Sequence, residues 1–437
     1  MKATGLVRIV KRLLFDATLL VALYCGAAAG HPAAFAWPTN APEEKPSTPK
    51  AVTPADVDLG KALDAAWRRS VAAREAAGQR ERAVADRAIT AAPWSAPPAL
   101  EMGRREDRTS AAGARETDLG VVVPLWWPGQ RATMAQRTET AVELATALEL
   151  VERLRLAGSL RELAWEWAQL RSEADLADGQ FKSLAALAED VERRVRAGDL
   201  ARSDGMAARA EWLTAQAGRV EVRRRLQAAQ ARWALVTGLP NLSISLPPPE
   251  TLARPPEVST GKTHPEATLA QLNRELAERS LEVVRAGKAD APEVSVSLRQ
   301  DSTARQAALP HSVAIGVRIP FAPQSRNLPR LATAHAALNM AHVQQERLNE
   351  RLASEALTAR QAWRAAQTQF ESLNEGAVLL RERARLIERA FRAGEVALPE
   401  LLRSLAAAHV AEAAAARQLA AWGLARARLE QILGILP

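Results

Sequence analysis

Histidines are the first residues to consider for chemistry, because an imidazole can act as a general base or bind a metal ion. His335 and His342 are seven residues apart, so on one helix they would share a face and could bind one metal. No third ligand is evident at suitable spacing, and no His-Glu-x-x-His pattern occurs. A solvated pair is therefore the favoured interpretation. The sequence predicts no catalytic residue, no metal site and no cofactor, and the protein is not expected to be an enzyme.

Two acids at matching positions are the second set of candidates. Asp204 follows Gly198 by six residues, and Glu400 follows Gly394 by the same distance. A functional carboxylate is one explanation for Glu400. The other is that it follows Pro399 in the first turn of a helix, where acids interact favourably with the helix dipole. The residues by themselves leave both explanations open.

Two long heptad ladders precede these acids. The first runs from Leu163 to Val195 in strict steps of four and three, with charged residues between the apolar ones, which is typical of a coiled-coil seam. Adding 196 to each position gives a second ladder from Ala359 to Phe391. The same offset relates residues 124–238 to residues 320–434. A period of this length indicates a duplicated domain rather than a short solenoid repeat.

Each ladder ends in a similar tetrapeptide. The first is Arg196-Ala197-Gly198-Asp199 and the second is Arg392-Ala393-Gly394-Glu395. Glycine suits the position just after a helix, where the chain can reverse direction. The sequence therefore predicts two copies of one long helical hairpin.

Four segments alternate between apolar and polar residues, as β-strands do. They lie near residues 99–105, 119–125, 294–299 and 313–319. One such strand alone would favour a half-buried soluble sheet, whereas four in an exported helical chain favour strands between lipid and a wet lumen. Four strands cannot close a barrel, and open edges are not tolerated in lipid, so the sequence also predicts an oligomer.

The N-terminal residues 1–36 are predicted to be a signal peptide, with four basic residues, an apolar run at 13–23 and a small-x-small cleavage site at 34–36. A proline-rich tail (37–55), a first repeat (56–240), a linker (241–263) and a second repeat (264–437) follow. Lipidation of Cys25, the one cysteine, is weakly supported because Tyr24 before it is bulky.

Composition argues against a nucleic-acid partner. The net charge is +8, but arginine-rich runs such as residues 192–194 are interleaved with acids, and aromatic residues make up 4% of the chain. A solvated helix face explains these runs better than a surface on which bases stack.

From residue 56 onward, the chain resembles the TolC family of outer-membrane efflux factors. The similarity lies in the duplication, in the strand-to-helix junctions at 123–131 and 318–321, and in the two tips. The second tip, followed by Leu398-Pro399-Glu400-Leu401-Leu402, is similar to members that serve heavy-metal and related tripartite pumps.

The resemblance implies a mainly α fold with a small β part. Three chains would form a twelve-stranded barrel in the outer-membrane lipid and a periplasmic tunnel of twelve helices. A periplasmic adaptor and an inner-membrane pump of the RND type would dock at the tunnel tip. The chain would be a passive exit duct for metal cations or drugs. A periplasmic coiled-coil scaffold or adaptor without a pore is the alternative.

The resemblance also assigns roles at the tips. Arg196, Gly198 and Asp199, with their counterparts Arg392, Gly394 and Glu395, would dock the adaptor. Glu400 falls on a family acid that lines the periplasmic mouth, and Asp204 is its counterpart in the first repeat. A second family acid, three residues later, is Arg403 here, which would weaken a cation-selective ring.

Overall fold

The computed structural model describes residues 58–106, 115–240, 248–256, 264–287, 290–302, 311–321 and 324–437. The predicted signal peptide and proline-rich tail lie outside these ranges. The helices are α1 Leu59–Arg69, α2 Val71–Ile89, α3 Gln130–Ala197, α4 Arg202–Thr237, α5 Pro249–Ala253, α6 Pro265–Ala286, α7 Gln324–Arg392 and α8 Leu398–Ile432. The strands are β1 Ala99–Glu106, β2 Arg115–Pro124, β3 Glu293–Ser302 and β4 His311–Arg318.

The predicted duplication is visible in the two longest helices. Helix α3 has 68 residues and α7 has 69, so each is about 100 Å long at 1.5 Å per residue. The ladder residues form the buried seams of these helices, and Trp167, Leu184 and Val191 are among the buried ones. Leu373 is the exception at 40% exposed.

The helices pack in a fixed order. Helices α3 and α4 form hairpin one, and α7 and α8 form hairpin two. Helix α3 also packs against α8, so the two hairpins lie side by side with α4 and α7 at the outer edges. Helix α6 packs between α3 and α7, and α2 packs along α3. The two hairpins therefore contact each other mainly through their inner helices, α3 and α8.

Two sequence predictions differ from the structure. The helical pattern of residues 56–91 predicts a single helix. In the structure it is broken at Ser70, whose hydroxyl accepts a hydrogen bond from the Ala73 N–H at 3.0 Å and caps α2. The predicted linker contains the short helix α5. Its Leu252 is buried, and the Leu252 carbonyl accepts a hydrogen bond from the Trp363 indole N–H at 3.1 Å. A leucine that packs against hairpin two gives this proline-rich segment an anchored turn.

The strands form one antiparallel sheet in the order β1-β2-β3-β4. Its register places Leu100, Val121, Val296 and Ile315 in one row across all four strands. The next apolar row is Met102, Leu119, Leu298 and Val313. All eight side chains are exposed.

The opposite face of the sheet is polar and contains ion pairs. Arg299 contacts both Glu116 and Asp118 at 2.8 Å. The alternation predicted from the sequence therefore separates an apolar face from a charged one.

Among the described residues, none of the helices has a stretch apolar and long enough to span a bilayer.

Candidate functional site at the hairpin tips

Both hairpins reverse through the same backbone geometry. Gly198 has a φ of 87° and Gly394 a φ of 80°, in the left-handed region where a side chain is disfavoured. The Gly198 N–H donates to the Val195 carbonyl at 3.1 Å, and the Gly394 N–H donates to the Phe391 carbonyl at 3.0 Å. The Asp199 N–H donates to the Arg194 carbonyl and the Glu395 N–H donates to the Ala390 carbonyl, each at 2.9 Å. The tips are therefore two copies of one glycine-ended helix cap.

A small apolar cluster holds the two tips together. Val191, Ala208, Phe391, Leu398 and Leu401 are buried in it, so both hairpins contribute. Its edge is covered by a guanidinium, since the Cζ atom of Arg194 lies 5.1 Å from the centre of the Phe391 ring. The predicted docking residues consequently sit on a packed base.

The six predicted docking residues are exposed at the two turns. They are Arg196, Gly198, Asp199, Arg392, Gly394 and Glu395. Arg196 donates to the Glu192 carbonyl at 3.4 Å, and Arg392 pairs with Glu388 one turn back. Asp199 and Glu395 form no ion pair among the described residues.

The two matching acids have different surroundings. Glu400 contacts Arg403, three residues further along the same helix, at 3.0 Å, and also contacts Arg383 of α7 at 3.0 Å. Asp204 forms no ion pair within the described part of the chain. It lines a cleft of about 540 Å³ between the tips, together with Asp199 and Glu395. Equal spacing from the tip glycines therefore does not give the two acids equal environments.

Sequence reasoning did not identify Arg383. It lies 17 residues before Glu400, beyond the reach of any within-helix pairing rule. When a hairpin folds about its tip glycine, residues before the turn come close to residues after it. Comparing positions on the two sides of Gly394 could therefore have identified Arg383 as a partner of Glu400. Arg194 was also missed, because its contact with Phe391 crosses between the two repeats.

His335 and His342, the two histidines considered as metal ligands, each contact another residue. His342 lies 3.4 Å from Glu346, a carboxylate one turn along that the sequence interpretation overlooked, and His335 lies 3.5 Å from Arg285. Within the described ranges no group of three or more possible metal ligands comes together.

His409 lies in a second cleft, of about 320 Å³, where hairpin one meets α8. Its Nδ1 atom is 3.8 Å from Glu412, which also pairs with Arg381 of α7. Its Nε2 atom is buried without a hydrogen-bond partner in the described structure. Burial lowers the pKa of His409, and the nearby Glu412 carboxylate partly offsets this.

No protein-family model and no curated protein matches the chain. Solved structures match it along most of its length. VceC, an outer membrane protein of Vibrio cholerae, is 13% identical with a TM-score of 0.68, over 86% of this chain and 96% of that chain. CusC, described as forming a transmembrane channel, is 14% identical with a TM-score of 0.71, over 87% and 93%. The open state of the MtrE outer membrane channel of Neisseria gonorrhoeae is 16% identical with a TM-score of 0.67, over 86% and 89%. The chain has the fold of these outer-membrane channels.

This likeness confirms the predicted fold class, in which duplicated helical hairpins accompany a small four-stranded sheet. It also confirms the resemblance to the TolC family at the level of the fold.

Proposed function

We propose that this chain is the outer-membrane exit duct of a tripartite efflux system. In this role it passively conducts cargo, expected to be metal cations or drugs, from an inner-membrane pump to the outside of the cell. The observation that carries the proposal is the exposed apolar face of the sheet in a chain with this channel fold. No catalytic role and no cofactor is part of the proposal.

The sheet supports placement in a lipid bilayer. Val313 is 63% exposed and Ile315 is 66% exposed, and both belong to apolar rows that cross all four strands. Leaving such a surface in water is unfavourable by roughly 25 cal/mol for each Å². The opposite face, where Arg299 pairs with two acids, suits a wet lumen.

The edges of the sheet support a homotrimer. Strands β1 and β4 each pair on one side within the described residues, so each leaves an open edge. Lipid does not tolerate unpaired backbone groups, and three chains would close the edges into twelve strands. Helix α4 adds three exposed apolar residues at seven-residue spacing, Met206, Leu213 and Val220, at the outer edge of hairpin one. A second chain would cover this stripe.

The tips support docking of a periplasmic adaptor, and through it of an inner-membrane pump of the RND type. Asp199, Asp204 and Glu395 line the cleft between the tips without an ion pair in the described structure. The two arginines in the same cleft already form ion pairs: Arg194 pairs with Asp190, and Arg392 pairs with Glu388. The cleft therefore favours a partner that brings a basic side chain.

The proposal assigns Glu400, Arg403 and Asp204 to the periplasmic mouth. It also assigns residues 1–36 to a cleaved signal peptide and places the chain in the outer membrane with a periplasmic extension. These assignments follow from the proposed duct.

Cell fractionation tests the duct against a pore-free periplasmic scaffold. We expect heat-resistant trimers in detergent extracts of the outer membrane, seen as a band that falls to monomer on boiling. The extracted trimer should form ion-conducting channels in planar bilayers. Recovery as a soluble periplasmic protein, without conductance, would establish the scaffold instead.

A further inference from the structure

The two hairpins carry different charge near their tips. Residues 380–410 of hairpin two contain six arginines and four glutamates, a formal charge of +2. The matching residues 184–214 of hairpin one contain five arginines and six acids, a formal charge of −1. The two segments, although related by duplication, thus have net charges of opposite sign. Anions are attracted to the end of hairpin two more than to the end of hairpin one.

Glu400, the acid expected to attract cations, is covered by cations. Arg383 reaches one of its carboxylate oxygens and Arg403 the other, each at 3.0 Å. The arginine side chains are 57% and 75% exposed, whereas that of Glu400 is 37% exposed. A mobile ion near this surface therefore meets guanidinium groups before it meets the carboxylate.

Hairpin one lacks this arrangement. The positions that match Arg383 and Arg403 are Leu187 and Ala207, and Leu187 packs against the apolar cluster at the tips. Asp204 consequently has neither cation. It faces the cleft between the tips, which Glu400 does not line. The positive charge around the acid six residues after the tip glycine is therefore found in hairpin two and not in hairpin one.

We propose that Arg383 sets the charge preference of the duct mouth, which admits cargo bearing an anionic group in preference to free cations. The inference thus narrows the cargo of the proposed duct to molecules with an anionic group and away from free metal cations. This inference rests on the proposed function, because it requires Glu400 to face the lumen. At Glu400, one carboxylate with two guanidinium groups leaves a local charge of +1 in each chain, repeated around the trimer axis, whereas Asp204 faces the cleft between the tips. Exposed charges act over a screening length of about 8 Å at physiological salt, so the effect appears in ion permeation rather than in tight binding.

Reversal potentials in planar bilayers under a potassium chloride gradient test the proposal. The wild-type trimer should pass chloride in preference to potassium. Arg383→Gln should lower the chloride-to-potassium permeability ratio about twofold, the size expected for one exposed charge near the ion path. Arg383→Lys should retain the preference, because it keeps the charge.

Arg385→Gln is the matched control. Arg385 is exposed, lies two residues away on another side of α7 and forms no ion pair within the described chain, so its loss should leave the ratio unchanged. The inference is overturned if wild type prefers potassium, or if Arg383→Gln behaves like Arg385→Gln. Absence of any channel from correctly assembled wild-type trimer would instead overturn the proposed function, and the inference with it.

Discussion

The indole ring of Trp165 on α3 lies directly against Gly423 on α8. A Cβ atom at position 423 would be 1.9 Å from the Cη2 atom of that ring, far inside van der Waals contact. Trp165 also packs against the core clusters of both hairpins. This contact joins the two repeats.

Gly423→Ala should destabilise the fold by about 1–3 kcal/mol, because the new methyl group must displace a packed ring. The midpoint of thermal unfolding should fall, and combining Gly423→Ala with Trp165→Ala should cost less than the two changes added separately. Gly376→Ala on α7 is the control, since nothing lies within 4 Å of its Cβ position. Alanine there should be neutral or stabilising, by up to about 1 kcal/mol. Equal unfolding midpoints for Gly423→Ala and Gly376→Ala would contradict the packing argument.

Gly394→Pro should abolish export while trimers still reach the outer membrane. Proline fixes φ near −65°, whereas Gly394 has a φ of 80°, and proline also removes the N–H that bonds to Phe391. Only the local tip geometry should change. Gly198→Pro should act in the same way.

Crosslinking in cells measures the docking that this change should disrupt. Cysteines at Asp199 and Glu395 should form crosslinks to the adaptor in the wild-type background and lose them with Gly394→Pro. A cysteine at the exposed Val410, away from the tips, is the control. The tips would be excluded as the docking surface if Val410 crosslinked to the adaptor and the tip positions did not.

Val296→Arg and Ile315→Arg should each reduce the amount of assembled trimer. Both residues lie in one exposed apolar row, and a charge at the middle of a bilayer costs about 2–4 kcal/mol. Ser297→Arg, one residue along on the polar face, should be tolerated. Heat-resistant trimer in membrane extracts is the measurement. The same loss for all three variants would mean that the apolar rows do not face lipid.

Acid should weaken the contact between hairpin one and α8 at His409. Burial holds the pKa of His409 below its ordinary value of 6.5, so the unfolded chain binds a proton more readily than the folded chain. The stability that this residue contributes is present above pH 6.5 and is lost as the pH falls through the lower pKa of the folded form. His409→Gln should make the unfolding midpoint less sensitive to pH across this interval.

The pH experiment needs a second variant, because burial also lowers the pKa of His264. The Nδ1 atom of His264 accepts a hydrogen bond from the Glu266 N–H at 3.1 Å at the start of α6, which protonation would remove. His264→Asn keeps an acceptor at this helix start and removes the titration. If His409→Gln retained the full pH dependence while His264→Asn lost it, the cleft at His409 would not be acid-sensitive.

Much of the fold could be predicted because its signals are local and repeated. A heptad ladder from residue 163 to 195, a glycine at its end and the same pattern 196 residues later predict two helical hairpins without any tertiary contact. Alternation in the strands likewise predicts which side chains share a face. The break at Ser70 was missed because a single serine cap competes with strong helical periodicity on both sides.

The sequence by itself determined the long helices and the strands of this protein, where the hairpins reverse and which strand faces are apolar, since these depend on residues within a few positions of one another. Only the tertiary structure decided which elements meet. The position that matches Trp165 in the other repeat is Gln361, and the position that matches Gly423 is Gln227. Comparing the two repeats therefore could not have predicted the contact between Trp165 and Gly423. Arg383 reaches Glu400 only after α7 and α8 have folded back on each other. Side-chain charge and packing between helices depend on distances in space, which the order of residues along the chain does not specify.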